Sequence, residues 1–308
     1  MHNEFDFYTK LKSPQSSNIL ESIKSFIDKD FKGICDSSDD LNDISFQFQE
    51  YISKLTYDFA KVWKIEFYEE KSIYSNIING FENILCKVLY KKILNQFVDA
   101  PLNYKQLLFV SCNDLDIKDY DYSSHFDDLS SQLNKFTQIS QYTTPKEKLI
   151  ILCNLCNYIN ASYSHYDRIK FTKFLVFLFI HAEITDLKNQ LLYCALFRHK
   201  TVINSDEDYY LSLALQAIDF AMKLNYKNVK MTQEEFSNKK KQKWDNELLS
   251  NYNKTNHLDK IESIINLPID NLYKEYCTGD KTTMTIEKYE NLRNDFKIIL
   301  KLIESNSI

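Results

Sequence analysis

Apolar residues recur along most of this chain at three- and four-residue intervals, the spacing that gathers them on one face of an α-helix. Ile19, Leu20, Ile23, Phe26, Ile27 and Phe31 form the first stripe, and Ser13-Pro14 ahead of it suits a helix start. The polar stretch 33–43 breaks the pattern. A second stripe runs through Phe48, Ile52, Leu55, Phe59 and Val62. A third runs through Ile77, Phe81, Ile84, Leu85, Val88, Leu89 and Ile93, with Pro101 as its stop. Three such helices predict an antiparallel bundle.

Further on, 107–117 reads as a short helix running into an Asn113-Asp114-Leu115-Asp116-Ile117 connection, and 118–130 as an acidic, Tyr/Ser-rich surface loop. Pro145 suits the first turn of a helix with Leu149, Leu152, Cys153, Cys156 and Ile159 on its inner face. Residues 171–180 are apolar nearly all round, which predicts a buried central helix. Two more helices are expected at 187–197 and 209–224. The run Lys239-Lys240-Lys241-Gln242-Lys243 marks a change of character. Beyond it lie a short stripe (Leu258, Ile261, Ile264, Ile265) and a longer one (Ile286, Tyr289, Leu292, Phe296, Ile299, Ile303), with Gly279 between them. No internal repeat is present. The expected fold is all-α, with an N-terminal helical bundle (1–100), a second helical domain (101–238) and a C-terminal helical extension (239–308).

Composition narrows the function classes. The 308 residues are 44% hydrophobic, enough for a substantial core. Only 3 glycines and 4 prolines occur, which argues against tight strand turns and phosphate-cradling loops. A net charge of -5, with both signs interspersed, disfavours nucleic-acid binding. The longest wholly apolar run, 174–180, is far below the roughly 20 residues of a membrane span. No secretory signal is evident, and 7 scattered cysteines read as reduced core residues in the cytosol.

Ordinary catalytic motifs are missing. Cys153 and Cys156 make a C-x-x-C without the second pair a zinc site needs, so core packing is the plainer reading. His125, His165, His181 and His199 form no metal-binding spacing, and no G-x-S-x-G occurs. No cofactor or metal is expected. The basic run 239–243 reads as a solvated face or linker, with acidic lipid head groups as the alternative contact. Asp206, Glu207 and Asp208 fit either a functional acidic loop or the N-terminal turn of a helix, where carboxylates meet free N–H groups.

Six segments, in order across about 5–236, resemble one family. They are Phe7 to Ser13-Pro14 with Ile23-Lys24-Ser25-Phe26-Ile27; 107–117; Pro145-Lys146-Glu147-Lys148-Leu149; Leu187 with Leu191-Leu192-Tyr193; Asp208-Tyr209-Tyr210 with Ser212; and Thr232-Gln233-Glu234-Glu235-Phe236. The family is the vacuolar-protein-sorting-nine domain of Rabex-type guanine nucleotide exchange factors. The resemblance implies an all-helical exchange domain packed on a bundle.

The resemblance also implies a mechanism. In this family an aspartate enters the GTPase site and pairs with the P-loop lysine that otherwise grips the phosphates. A tyrosine holds the GTPase, and an apolar groove takes its switch regions. By reciprocity, preference for the empty GTPase weakens nucleotide affinity, and no bond is made or broken.

Carried over, the tyrosine falls on Tyr209 and the following Thr-Asn on Ser212-Leu213. An ungapped alignment on Phe171 sets Ile169 at the aspartate position, and Asp167 stands two residues earlier. The implied catalytic residues are therefore Asp167 and Tyr209. The implied partner-binding residues are Ser212, Phe171, Phe174 and Tyr210; for Phe171, Phe174 and Phe177 both groove and core roles fit. The implied partner is a Rab-five-like small GTPase in its nucleotide-free or GDP form. The implied setting is the cytoplasm, with recruitment to early endosome membranes in endocytic vesicle transport. The alternative is an inactive relative that binds a Rab GTPase or scaffolds.

Overall fold

A computed structural model of the chain describes residues 6–66, 71–97, 102, 104–117, 126–163 and 167–241. Within them the fold is all-α: α1 (Phe7–Leu11), α2 (Ser17–Ser25), α3 (Phe31–Ser37), α4 (Leu41–Trp63), α5 (Lys71–Leu94), α6 (Phe126–Phe136), α7 (Pro145–Ser162), α8 (Arg168–His181), α9 (Leu187–Phe197) and α10 (Ser205–Met222). No strand occurs among the described residues. The C-terminal stripes, Gly279, Pro101, 118–125 of the acidic loop, His165, Gln242 and Lys243 lie outside the described residues.

The chain divides into two units, 1–236 and 237–308. Of the second unit, 237–241 are described; they are helical and exposed. The first unit holds two apolar cores. One is built by α1–α5, around Phe31, Phe48, Phe59 and Phe81, and takes Tyr193 and Phe197 from α9. The other is built by 102–117 and α6–α10, around Leu149, Phe174, Phe179 and Ala214. So α9 feeds both cores: Phe197 meets Phe48 edge-on at 5.3 Å while Leu191 and Cys194 face the second core.

Local chemistry explains the starts. Asp6 caps α1 by accepting from the N–H groups of Tyr8 and Thr9. Pro145 sits at the first position of α7, behind a Thr144 hydroxyl that accepts from Glu147 N–H at 3.3 Å. Phe7 lies across α5 at Gly80, where a Cβ would stand 2.3 Å from the ring. Glycine is needed there for close approach, and the ring continues into Phe59 and Phe81 at 5.3 and 5.0 Å.

Four expectations change, the first being the surface loop expected at 118–130, whose residues 126–130 belong to α6 with Leu129 buried. The interruption at 33–43 shrinks to 38–40, because α3 runs through Gly33 to Ser37. Fully buried Phe31, against Phe26 and Phe48, holds the helix on through a poor helix former. The helix expected at 107–117 is absent: a 3-10 turn covers Tyr104–Leu107, and turns follow. There the Asp114 carboxylate accepts from Ser111 N–H and Oγ at 2.8 and 2.7 Å, and Asp116 takes a left-handed φ of 63°. Such side-chain bonds compete with helix formation. Last, α10 begins at Ser205, four residues before Tyr209, since Asn204 and Glu207 form a capping box.

Candidate functional site

The residues singled out by sequence converge on the α8–α10 pair. Asp167 has extended backbone and caps α8, its Oδ1 accepting from Lys170 N–H at 2.8 Å. Arg168 then reaches α10, donating to Gln216 Oε1 at 3.3 Å, and Gln216 donates to Ser212 Oγ at 3.2 Å. One turn further, Phe171 stacks on Tyr210 with ring centroids 6.2 Å apart. The Tyr210 hydroxyl donates to Asn157 on α7 at 2.9 Å, and burial pushes its phenol pKa up. Asp167 thus caps the end of α8 whose first turns contact Tyr210 and Gln216.

Side by side, these residues differ in exposure. Asp167 and Ser212 are exposed, and Tyr209 is 49% exposed. Phe171, Phe174 and Tyr210 are buried, Phe174 completely. Phe177 is buried too, so all three phenylalanines pack in the core of the free chain. The large apolar side chain that does reach solvent at the start of α8 is Ile169, at 68% exposure.

The capping box dictates where α10 starts and therefore where Tyr209 points. Asn204 Oδ1 accepts from Asp206 and Glu207 N–H, and Glu207 Oε2 accepts from Asn204 N–H at 3.1 Å. Asp206, Glu207 and Asp208 all lie in the first turn, the position where carboxylates meet the positive helix end. The structure places this acidic run in the N-terminal turn of α10: Glu207 is buried in the cap, and Asp206 and Asp208 are exposed beside Tyr209. Next to them a groove of about 550 Å³ runs between α9 and α10, lined by Lys200, Asp208, Leu211, Ser212 and Leu215 among others.

Sequence reading missed two buried polar clusters. In the first, Arg198 at the C-terminal end of α9 donates to Glu82 Oε1 (2.9 Å) and Asn79 Oδ1 (2.7 Å) on α5, and to the Val202 carbonyl (3.0 Å). Glu207 lies 3.8 Å from its guanidinium, and His199 N–H donates to Glu82 Oε2 at 2.8 Å. The His199 ring bridges Ser53 and Thr201 hydroxyls, and burial beside Arg198 holds its pKa down. Two signals were available. Glu82 interrupts the apolar face of α5 beside Ile78, Phe81, Leu85 and Cys86, and this lysine-rich chain uses arginine only at 168, 198 and 293.

The second cluster surrounds Lys148, from the Pro145–Leu149 segment. Its ammonium is fully buried and donates to Tyr90 OH (2.9 Å) and the Ile139 carbonyl (2.7 Å), and Tyr90 in turn donates to Gln190. Burial lowers the Lys148 pKa to about 8. The folded chain therefore releases this proton near pH 8, while the unfolded chain holds it to roughly pH 10.4. Between these values the unfolded state binds more protons, so stability rises with pH. Relative to Lys148→Met, the wild-type protein is expected to gain up to about 3 kcal/mol of unfolding free energy from pH 8 to 10.5. Urea melts of both proteins across that range check it; a constant difference refutes the shifted lysine.

Cys153 is half-buried and Cys156 buried, and burial raises both thiols, Cys153 to about 11. They are protonated packing residues at neutral pH. Among the described residues no His/Cys/Asp/Glu group is arranged to hold a metal ion, and no helix is long and apolar enough to cross a membrane. What the α8–α10 face offers is an exposed carboxylate, an exposed phenol, a hydroxyl and an exposed isoleucine. These groups suit contact with another macromolecule.

Comparison with known proteins locates this face. Residues 129–226 match the family model of the vacuolar sorting protein 9 (VPS9) domain. A curated relative, vacuolar protein sorting-associated protein 9A of Arabidopsis thaliana, is 24% identical across 75% of this chain. The chain spans 46% of that relative's length. The matched interval runs from within α6 past the end of α10 and holds Asp167, Phe171, Phe174, Tyr209, Tyr210 and Ser212. By sequence, residues 129–226 match the VPS9 domain, and the structure makes that interval helical from α6 to α10.

Proposed function

We propose that the chain is a guanine nucleotide exchange factor that drives GDP release from a Rab-five-like endosomal GTPase. The observation that carries this reading is the VPS9 match over 129–226, the interval that builds the α8–α10 face. In this reading Asp167 offers its carboxylate to the P-loop lysine, displacing phosphate as the lysine's partner. Leaving the cap of α8 costs about 1 kcal/mol, small beside a charge pair formed in a water-poor site. Tyr209 and Ser212 hold the GTPase, while Phe171, Phe174 and Tyr210 stiffen the face from behind. The protein makes and breaks no bond; it binds the empty GTPase better than the loaded one. Residues 101–238 form the exchange domain, 1–100 the bundle supporting it, and 239–308 an extension beyond both. The protein works in the cytoplasm and is recruited peripherally to early endosome membranes.

Capping and catalysis by Asp167 separate cleanly by substitution. Asparagine caps a helix as well as aspartate does but carries no charge. Asp167→Asn is expected to keep the wild-type melting curve and slow GDP release from the responsive GTPase at least about thirtyfold. Asp167→Ala is expected to slow it equally and lose about 1 kcal/mol of stability. Wild-type release by the asparagine variant removes Asp167 from the mechanism. Exposed Ile169 supports a second reading, a module that binds a Rab GTPase without discharging it. Tight binding across a Rab panel with no acceleration of release selects that reading.

A further inference from the structure

We propose that Arg198 is a positioning residue: it pins the start of α10, and so the direction of Tyr209, to the N-terminal bundle. This rests on the reading of Tyr209 as a partner contact. The geometry is a chain of short links. Arg198 is the residue at which α9 ends; its planar guanidinium hydrogen-bonds in two directions and pairs with a carboxylate at 3.8 Å in a third. Toward the bundle it holds Glu82 and Asn79 on α5. Toward the connecting loop it holds the Val202 carbonyl, fixing the path from α9 to α10. Toward α10 it faces Glu207, whose other bond is to Asn204 N–H in the cap. Tyr209 follows two residues later, exposed just past that first turn.

Arg198 and Glu82 are almost entirely buried and Glu207 largely so, which makes the arrangement stiff. A buried fork of this kind has few alternative rotamers that keep both terminal nitrogens paired. The backbone around it is tied as well: His199 N–H is held by Glu82, the His199 ring by Ser53 of α4, and the Leu196 carbonyl by Gln49 of α4 at 2.6 Å. The loop that aims Tyr209 is therefore anchored on α4 and α5, in the other core. Such a link explains why a face built wholly from α8 and α10 is joined to a bundle that supplies none of its exposed side chains.

The test uses the full chain with Arg198→Lys, which keeps the charge and loses the fork, and Glu207→Gln as a milder cut at the other end. Two measurements are made at a temperature where each protein is fully folded. The first is amide hydrogen exchange, read by mass spectrometry on peptides covering 199–212, with 41–63 as the reference. The second is the rate of GDP release from the Rab-type GTPase that the wild type discharges. Expected are a loss of protection of about tenfold confined to 199–212 and a release rate down by about tenfold or more. A merely structural role predicts lower melting temperature with unchanged release and evenly spread protection loss; that outcome overturns the proposal. So does wild-type protection at 199–212 in both variants. If the wild-type chain discharges no GTPase, the functional reading fails by itself, and the protection pattern still decides whether Arg198 fixes α10.

Discussion

Replacing Glu82 by alanine is expected to lower the unfolding free energy by about 3–5 kcal/mol, the range for removing one partner of a buried ion pair. The size follows from what is stranded. Arg198 keeps Asn79 and the Val202 carbonyl, but its remaining carboxylate, Glu207, is 3.8 Å away. His199 N–H loses its acceptor entirely. An orphaned buried N–H alone costs about 1–3 kcal/mol. Burial pushes the Glu82 carboxyl up, while Arg198 and the His199 N–H pull it back, so the pair is held by geometry more than by bare charge. Glu82→Gln keeps the volume and an acceptor, and its cost is expected to be about half as large. Urea denaturation of Glu82→Gln, Arg198→Met and the variant carrying both, beside wild type, closes a double-mutant cycle. Coupling above about 1 kcal/mol between positions 82 and 198 is expected for contacting residues. An alanine variant within 1 kcal/mol of wild type refutes the account.

Phe174→Ala is the second large effect, expected to cost about 3–5 kcal/mol. Phe174 is fully buried in α8, edge-on to Tyr163 at 5.2 Å and stacked on Phe177 at 6.2 Å. Neighbouring helices enclose α8 on every side along 174–180, so a cavity there has little room to collapse. Phe174→Leu is expected to cost about 1 kcal/mol, because most of the volume is kept. Thermal and urea melts measure both. If Phe174 were instead a partner contact, its alanine variant would melt like wild type and bind the GTPase more weakly. The exposed positions should behave the opposite way: Ile169→Ala and Tyr209→Ala are expected to change stability by less than about 0.5 kcal/mol.

Helix existence was legible wherever the apolar spacing was long and regular. α4, α5, α7, α8 and α9 appear where the stripes put them, and Pro145 begins α7 as its fixed φ dictates. The failures were local contests decided by packing or by side-chain bonds. Gly33 did not stop a helix that Phe31 anchors, and Ser111 with Asp114 prevented one that the apolar residues suggested. The candidate site was half legible: sequence found the segments, but it could not say which of their aromatic residues face inward. Phe171 and Tyr210 stack within the molecule, while Tyr209, one residue away, points out.

By itself, then, the sequence determined the all-helical class, the order of the main helices and the interval that carries the VPS9 match, because these depend on periodicity and local motifs along the chain. Only the tertiary structure decided that Glu82, Arg198 and Glu207 meet, that Lys148 is sealed beside Tyr90, and that Asp167 caps α8 next to the face bearing Tyr209. Residues 82 and 198 lie more than a hundred positions apart, and a contact at that separation exists only once two cores have formed around α9. No periodicity encodes such a meeting; burial does, by making an unpaired charge too costly to leave alone.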